Sequence, residues 1–387
     1  MAAERGRRRA PHGGGMRPPT QPRHVLLTAD AVGGVWTWAI DLATALADRG
    51  VETTLAVLGP APDAAQRRAA AAIPGLTLIE TGLPLDWVED DPARLAAAGR
   101  RLASLAASAG VDLVHLNSPA LAAEAAFPVP VVGGCHSCLA TWWSAVRGDA
   151  PMPEAFRWRT AMLAEGYAAC DRLIAPSAAF AAATAERYGV RVEAVHNGRA
   201  PAPARSATGR DAVVLTSGRL WDEGKNVAGL DRAAARMVRP VRAAGPLTGP
   251  GGAGVALAHA VPLGRLDAAA LREELDRASV FASLALYEPF GLGVLEAAQA
   301  GCALVLSDIP SFRELWHGAA TFAPVDDAAA LARTLDDLLA APDATESLGR
   351  AAAARAARFT PEAMADGVLA VWREVLADRA ACAGAAA

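Results

Sequence analysis

Long uncharged apolar runs and any strong excess of charge are missing from this sequence of 387 residues. No stretch of eighteen residues is free of both charges and prolines, so no segment is a candidate for a membrane-spanning helix. The formal net charge of -4 indicates no clustered cationic surface for a polynucleotide, which excludes a nucleic-acid partner. Peripheral contact with a membrane surface stays open.

Cysteine is also scarce, and the five cysteines are an odd number scattered along the chain. Such a set is not the disulfide framework of a secreted protein, so a cytoplasmic location is favoured. Cys135, His136 and Cys138 stand close together, but no second cysteine pair completes a zinc site, and no metal or other cofactor is expected. Residues 1–23 lack the apolar segment of a secretory signal and are predicted to be a disordered extension.

Apolar residues, at 53% of the chain, are abundant enough to fill the cores of two domains. Short runs rich in Val and Leu alternate with Ala-rich segments, which is typical of parallel strands joined by helices. In the first half, strands are predicted at 24–30, 51–59, 76–82, 112–118, 129–136, 172–177 and 190–196, with helices near 35–49, 93–109, 154–169 and 178–188. This half is therefore predicted to be one domain, 24–198.

A linker is predicted at 199–210, because prolines and glycine replace large apolar residues there. The alternation then restarts, with strands predicted at 212–217, 241–245, 255–261, 279–284 and 303–307 and helices near 226–237, 267–277, 292–300 and 328–340. The sequence therefore predicts an α/β protein of two Rossmann-like, doubly wound parallel-sheet domains, 24–198 and 211–358, that face a central cleft. The C-terminal segment 359–387 is predicted to carry a helix, 361–376, that packs back on the first domain.

The most informative segment is 287–296, with the sequence YEPFGLGVLE, which places two glutamates eight residues apart across a predicted strand-to-helix turn. Gly291 and Gly293 let the backbone approach a ligand, and the amides of the first helical turn are unpaired donors with a partial positive charge. A diphosphate fits such a turn. The candidate ligand-binding residues of this segment are Glu288, Phe290, Gly291, Leu292 and Glu296.

The second informative segment is 217–226, with the sequence SGRLWDEGKN, at the carboxyl end of another predicted strand. Ligands of open parallel sheets bind at that edge of the sheet. After Gly218, Arg219 offers a planar fork for phosphate oxygens and Lys225 a mobile point charge, so the two cations can neutralise a leaving diphosphate. Both segments are expected to open toward one cleft.

These two segments resemble the donor-site motifs of retaining glycosyltransferases of family 4, which have the two-domain architecture called GT-B. The resemblance extends from residue 24 to residue 378 and includes further matches in the same order along the chain. These matches are Gly33-Gly34 after the first strand, His136, Pro176-Ser177 and Asn197-Gly198. One departure is the Val-Trp-Thr-Trp run at 35–38, which can shape an acceptor site peculiar to a subgroup.

The resemblance implies a retaining transferase with a nucleotide-sugar donor, a hydroxyl acceptor of undetermined class and no metal. It implies that Arg219 and Lys225 bind the donor diphosphate and that Glu296 holds the ribose hydroxyls. It also implies that Glu288 lies near the transferred sugar, which His136 faces from the first domain. The catalytic candidates are His136, Arg219, Lys225 and Glu288, and the donor-binding candidates are Gly33, Gly34, Gly218, Phe290, Gly291, Leu292 and Glu296.

Several alternatives use the same residues. A GT-B epimerase or hydrolase of nucleotide sugars and a non-catalytic sugar-binding module would share the cleft, and both stay open. A dinucleotide-binding oxidoreductase is disfavoured, because the loop at 30–36 lacks the three-glycine fingerprint and the second predicted strand ends without an acidic residue. His115 and His196 are predicted to be structural. Two roles stay open for the tryptophans of the predicted cleft, stacking on a sugar and packing within the protein; these tryptophans are Trp36, Trp38, Trp142 and Trp143.

Retention without an evident nucleophile predicts front-face attack, in which the acceptor hydroxyl approaches on the side from which the diphosphate leaves. Closure of the two domains is expected to bring His136 and Gly34 over the donor and to exclude water. The linker is the natural hinge for that closure.

Overall fold

The computed structural model describes residues 21–201, 209–249 and 252–385. The predicted N-terminal extension lies outside the described residues as far as residue 20, and the predicted linker lies outside them at 202–208. Within the described residues the chain forms two parallel sheets, each with helices on both faces. No helix in this part of the chain is both long and apolar enough to span a bilayer.

The first domain is built on a seven-stranded parallel sheet of order β3-β2-β1-β4-β5-β6-β7. Its elements are β1 (His24–Asp30), α1 (Gly34–Ala47), β2 (Glu52–Leu58), α2 (Ala64–Ala71), β3 (Leu76–Glu80), α3 (Pro92–Ala109), β4 (Leu113–Leu116), β5 (Val131–Gly134), α4 (Leu139–Arg147), α5 (Glu154–Ala169), β6 (Arg172–Ala175), α6 (Ala178–Tyr188) and β7 (Glu193–Ala194). The strand order reverses at β1 and β4, and such a reversal leaves a crevice at the carboxyl ends of the strands.

The second domain is built on a six-stranded parallel sheet of order β10-β9-β8-β11-β12-β13. Its elements are β8 (Asp211–Ser217), α7 (Val227–Ala234), β9 (Val241–Ala244), β10 (Val261–Gly264), α8 (Ala268–Arg277), β11 (Ala278–Ser283), α9 (Leu292–Gln299), β12 (Ala303–Ser307), α10 (Pro310–Trp316), β13 (Thr321–Ala323), α11 (Ala328–Ala340) and α12 (Pro342–Ala356). Here the order reverses at β8 and β11, and a second crevice forms at their carboxyl ends.

Both faces of each sheet are covered, which explains why the strands are continuous apolar runs. In β1, Val25 and Leu27 join a core that includes Leu42 of α1, whereas Leu26 points to the opposite face and packs in a core with Leu95 of α3. All five of these residues are fully or almost fully buried. β1 pairs with β2 along its whole length, from His24 opposite Glu52 to Asp30 opposite Leu58, and this pairing positions the loops at the carboxyl edge of the sheet.

The last helix, α13 (Pro361–Ala385), returns to the first domain and packs against α1. Trp372 is fully buried there, and its indole N–H donates to Nδ1 of His115 at 3.2 Å. A Cβ at Gly198 would lie 1.9 Å from the carbonyl oxygen of Thr360, so the outgoing and returning chains cross in direct contact. The helix is longer than the predicted 361–376, because it continues to Ala385.

The predicted strand at 255–261 is wrong, since β10 begins only at Val261. The carboxylate of Asp231 on α7 accepts the backbone N–H groups of Ala258, His259 and Ala260 at 3.1, 2.9 and 2.8 Å. A side chain distant in sequence therefore replaces the neighbouring strand as hydrogen-bond partner of this apolar segment. The structure also contains elements that were not predicted, namely α2, α4, α10, α12 and β13.

Candidate functional site

A cleft of about 430 Å³ lies between the carboxyl edges of the two sheets. The structure brings together in its wall every residue that the sequence predicted for the site. These residues are Gly33, Gly34, His136, Gly218, Arg219, Lys225, Glu288, Phe290, Gly291, Leu292 and Glu296. The two domains therefore supply one continuous site, as the strand-end placement of the motifs indicates.

The start of α9 forms one wall of the cleft. Gly291, its N-cap, has φ of +92°, a left-handed conformation that favours glycine, and a Cβ there would lie 3.2 Å from both Phe312 and Val294. No side chain caps the helix, so the amides of its first turn face the cleft without an internal acceptor. This end of α9 can therefore receive an anion.

Lys225 and Glu288 form an ion pair on the same side of the cleft, with side chains 21% and 15% exposed. Their backbones are tied together, because the N–H groups of Leu286 and Tyr287 donate to the carbonyl of Gly224 at 2.8 and 3.2 Å. The turn that carries Glu288 is thus fixed against the turn that carries Lys225. A ligand phosphate that binds Lys225 would share this cation with the carboxylate or displace the carboxylate from it.

Arg219 lies at the end of β8 and pairs with Asp222, with Nη2 and Oδ2 3.1 Å apart. The other oxygen of Asp222 accepts from the indole N–H of Trp142 at 3.0 Å, and Trp142 belongs to α4 of the first domain. Asp222 therefore connects a candidate diphosphate-binding cation to the opposite side of the cleft. This bridge was not predicted from the sequence.

His136 follows β5 and reaches the cleft from the first domain. The amide of Asn117 donates from Nδ2 to the carbonyl of Thr28 at 2.6 Å, so its Oδ1 accepts from Nε2 of His136 at 2.7 Å. Burial lowers the pKa of His136 to about 4, and the ring is neutral at pH 7. With Nε2 protonated, Nδ1 is an acceptor that can bind a sugar hydroxyl.

Glu296 forms an ion pair that the sequence did not suggest. Its Oε1 lies 2.5 Å from Nε of Arg199, and Nη1 of Arg199 lies 3.0 Å from Oδ2 of Asp41 on α1. Arg199 directly follows the Asn197-Gly198 pair, where the chain leaves the first domain. The candidate ribose-binding carboxylate is therefore connected to the other domain through one guanidinium.

Further direct contacts hold the two domains together around the cleft. The hydroxyl of Ser177 donates to the carbonyl of Pro289 at 2.7 Å, and the backbone N–H of Cys138 donates to the hydroxyl of Tyr287 at 3.1 Å. A Cβ on Gly34 would lie 3.3 Å from Cδ1 of Leu292. Gly34 of the first domain therefore lies against the start of α9 in the second domain.

The tryptophans have different environments. Trp36 and Trp38 are both buried in the core of the first domain, and Trp38 also borders the cleft, where it meets the ring of His136 edge-on with centroids 4.8 Å apart. Trp142 donates to Asp222, and Trp143 donates its indole N–H to the carbonyl of Ala150. Among the four, Trp38 is the one in the cleft wall, and it is almost fully buried there.

The two histidines that were predicted to be structural are held by other parts of the fold. His115 is fully buried beneath Trp372, and burial lowers its pKa to about 3. His196 pairs with Glu314, with Nε2 and Oε1 2.9 Å apart, and that carboxylate also accepts the first two N–H groups of α6. Neither of these contacts involves a residue of the predicted site.

One cation in the cleft wall was missed by the sequence. Arg265 lines the cleft directly after Gly264, the last residue of β10. Its position at the carboxyl end of a strand is the signal that could have found it. The strand was predicted to end at residue 261 instead of Gly264, so Arg265 was not recognised as a residue at the end of a strand.

Metal-ligating side chains are not grouped in the part of the chain that the structure describes, where no set of three or more His, Cys, Asp or Glu could hold an ion. Cys135 and Cys138 are both buried, and Sγ of Cys138 lies 2.9 Å from the hydroxyl of Thr141. The two cysteines of the short Cys-His-Ser-Cys run therefore pack inside the first domain.

Comparison with known proteins places the chain in a family. Residues 32–202 match the family model described as Glycosyltransferase Family 4, and residues 257–355 match the model described as Glycosyl transferases group 1. No curated protein sequence matches the chain. The two matched ranges contain the loops of the first domain and the glutamate pair of the second.

Solved structures share the whole fold at low sequence identity. A sucrose-phosphate synthase from Thermosynechococcus elongatus superposes with a TM-score of 0.74 at 18% identity, covering 92% of this chain and 100% of that one. HepE from Anabaena, in complex with UDP and glucose, has a TM-score of 0.69 at 17% identity, with 91% and 100% covered. An α,α-trehalose 6-phosphate synthase from Burkholderia multivorans has a TM-score of 0.68 at 17% identity, with 94% and 98% covered.

Three findings agree with one another. The chain forms two parallel-sheet domains that meet at a cleft, the structural neighbours have the same architecture, and two glycosyltransferase family models match the sequence. The chain therefore has the GT-B fold and belongs to glycosyltransferase family 4.

Proposed function

We propose that the protein transfers a sugar from a nucleoside diphosphate sugar to a hydroxyl acceptor, with retention of the anomeric configuration and without a bound metal. The observation that carries this proposal is the composition of the cleft. The cavity brings together three cations, Arg219, Lys225 and Arg265, with an uncapped helix start and two glutamates of the second domain, opposite His136 of the first domain. HepE forms complexes with UDP-glucose, so UDP-glucose is the first donor to test.

The donor diphosphate is proposed to bind between Arg219, Lys225 and the first turn of α9. Cationic side chains and unpaired helical amides are the groups that bind phosphate oxygens in proteins. Their charge also stabilises the leaving diphosphate as negative charge develops on it, which is the part that a divalent ion plays in other transferases. In this arrangement the diphosphate displaces Glu288 from Lys225 and leaves that glutamate beside the sugar.

The transfer step is proposed to occur on one face of the sugar. The acceptor oxygen forms a bond to the anomeric carbon on the side from which the diphosphate departs, while the bond between that carbon and the phosphate oxygen breaks. The proton of the acceptor hydroxyl passes to the departing phosphate oxygen, so no protein base is needed. Neutral His136 accepts a hydrogen bond from a sugar hydroxyl through Nδ1 and orients the ring.

The proposal is tested by following donor and product together. A thermal-shift screen with nucleotide sugars, beginning with UDP-glucose, identifies the donor, and an NMR time course with acceptor hydroxyl compounds then reports the anomeric configuration. A product of the same configuration as the donor supports retention, and an inverted product refutes it. A changed sugar on the recovered nucleotide would indicate an epimerase, free sugar alone a hydrolase, and binding without turnover a sugar-binding module.

A further inference from the structure

We propose that Arg199 is a positioning residue of the donor site. It holds the carboxylate of Glu296 in the orientation that binds the ribose, and through Asp41 it connects that orientation to the first domain. This inference rests on the proposed function, because it takes Glu296 as the ribose-binding carboxylate. The juxtaposition that carries it is one guanidinium shared between a carboxylate of each domain.

The guanidinium of Arg199 uses two different nitrogens for its two partners. Nε lies 2.5 Å from Oε1 of Glu296, and Nη1 lies 3.0 Å from Oδ2 of Asp41. The planar guanidinium presents its N–H donors in a fixed fork, so binding one carboxylate fixes the direction in which the second is bound. A lysine ammonium has no such fork and would hold the two carboxylates less precisely in relation to each other.

The backbone of Arg199 is fixed as firmly as its side chain. Its N–H donates to the carbonyl of Phe359 at 3.0 Å, and its own carbonyl accepts from Nε2 of Gln299 at 2.8 Å. Gln299 lies on α9, the same helix as Glu296. Because Arg199 is anchored to α9 at its backbone and at its side chain, it can set the direction of the Glu296 carboxylate.

Burial makes this arrangement energetically significant. The side chains of Asp41, Arg199 and Glu296 are 15%, 26% and 22% exposed, so water screens their charges only in part. Burial raises the pKa of Asp41, and the negative charge of Glu296 raises it further, while Arg199 opposes both effects. Without the cation, the two carboxylates would repel each other across the domain junction, and Glu296 would turn away from its present position.

The ion pair leaves Glu296 able to bind a ligand. A carboxylate has two oxygens with about four lone-pair directions, and the contact with Arg199 engages Oε1. Acceptor capacity for ribose hydroxyls therefore remains while the pair is intact.

The test is a double-mutant cycle on nucleotide affinity, measured by calorimetry with UDP. We expect Arg199→Met to weaken UDP binding about tenfold, the loss of about one charge-assisted hydrogen bond. Donor KM should rise by a similar factor and kcat should change less than about twofold, since the lost contact exists equally before and during transfer. In a Glu296→Ala background, the same substitution of Arg199 should change the UDP Kd less than about twofold.

The matched control is Arg172→Met. Arg172 is a half-buried arginine on β6 that pairs with Asp378 of α13 and with Glu193, outside the cleft wall, and its replacement should leave UDP affinity unchanged. Arg199→Lys keeps the charge without the fork and should give an intermediate Kd. This variant also serves if Arg199→Met does not fold, as judged by circular dichroism.

The outcomes separate this inference from the proposed function. If the wild type binds neither UDP, ADP nor GDP, the proposed nucleotide site fails. If UDP binds and Glu296→Ala weakens it, but Arg199→Met or Arg199→Lys leaves the Kd unchanged, only the role of Arg199 is overturned. Equal losses from Arg199→Met with and without Glu296 would also overturn it, because the effect would then not pass through that carboxylate.

Discussion

The two glutamates of the cleft are expected to respond in opposite ways when each is replaced by alanine. Glu296→Ala removes the proposed acceptor of the ribose hydroxyls, and hydrogen bonds to a charged group are worth about 1.5–3 kcal/mol each. Loss of one such bond weakens the binding of a bare nucleoside diphosphate about tenfold to a hundredfold. Arg199 keeps Asp41 as a partner in this variant, so no half-buried cation is left unpaired.

Glu288→Ala is expected to leave that affinity unchanged or slightly higher. Glu288 is paired with Lys225 in the free protein, and its removal frees the cation for the diphosphate without removing a contact to the nucleotide. Sugar transfer should nevertheless fall about tenfold or more, because Glu288 is proposed to lie beside the sugar as charge develops on it. The two alanine variants therefore distinguish the residue that binds the nucleotide from the residue that acts in transfer.

Calorimetry with UDP on both variants, together with initial rates of transfer, measures the two effects. Glu346→Ala is the matched control, because Glu346 is an exposed glutamate of α12 that pairs with Arg350 outside the cleft. Circular dichroism confirms that each variant is folded. If Glu288→Ala lost UDP affinity while Glu296→Ala kept it, the two roles would be exchanged and the proposed placement of the nucleotide would be refuted.

Three further outcomes are expected. Turnover should persist in excess chelator, because Arg219 and Lys225 supply positive charge to the diphosphate; activity lost in chelator and restored by a divalent ion would contradict metal independence. In rate assays Gly34→Val should lower transfer about tenfold or more. Gly33→Val should lower the rate of transfer less than Gly34→Val does, since a Cβ at Gly33 meets nothing within 4 Å whereas a Cβ at Gly34 meets Leu292. Equal falls in rate for the two variants would argue against a role for the contact with Leu292. The pKa of His115 in the folded state, about 3, lies below the ordinary 6.5, so the contribution of neutral His115 to stability is present above pH 6.5 and is lost as the pH falls. Between pH 7 and pH 5 the free energy of unfolding, measured by urea titration, should therefore fall by about 2 kcal/mol more in the wild type than in His115→Gln. Equal falls in the two proteins would refute the lowered pKa.

Much of the fold could be predicted from local sequence pattern. The strand at 24–30 and the helices at 154–169, 178–188 and 328–340 have the predicted bounds, because continuous apolar runs and helical periodicity are local properties. The strand at 255–261 was misplaced for the opposite reason. Its apolar residues resemble a strand, but the N–H groups of residues 258–260 bond to Asp231, which no local pattern shows.

The candidate site divides in the same way. The sequence determined the two motif segments and their strand-end positions, since glycines, glutamates and cations at fixed spacing are visible in the chain itself, and the structure places all of them in one cleft. The tertiary structure alone decided which side chains meet across that cleft. Asp41, Arg199 and Glu296 are distant in sequence, as are Trp142 and Asp222, and each has an ordinary local context. Their contacts arise because two separately folded sheets bring their carboxyl edges together, and the relative placement of two domains depends on packing between surfaces that local periodicity does not record.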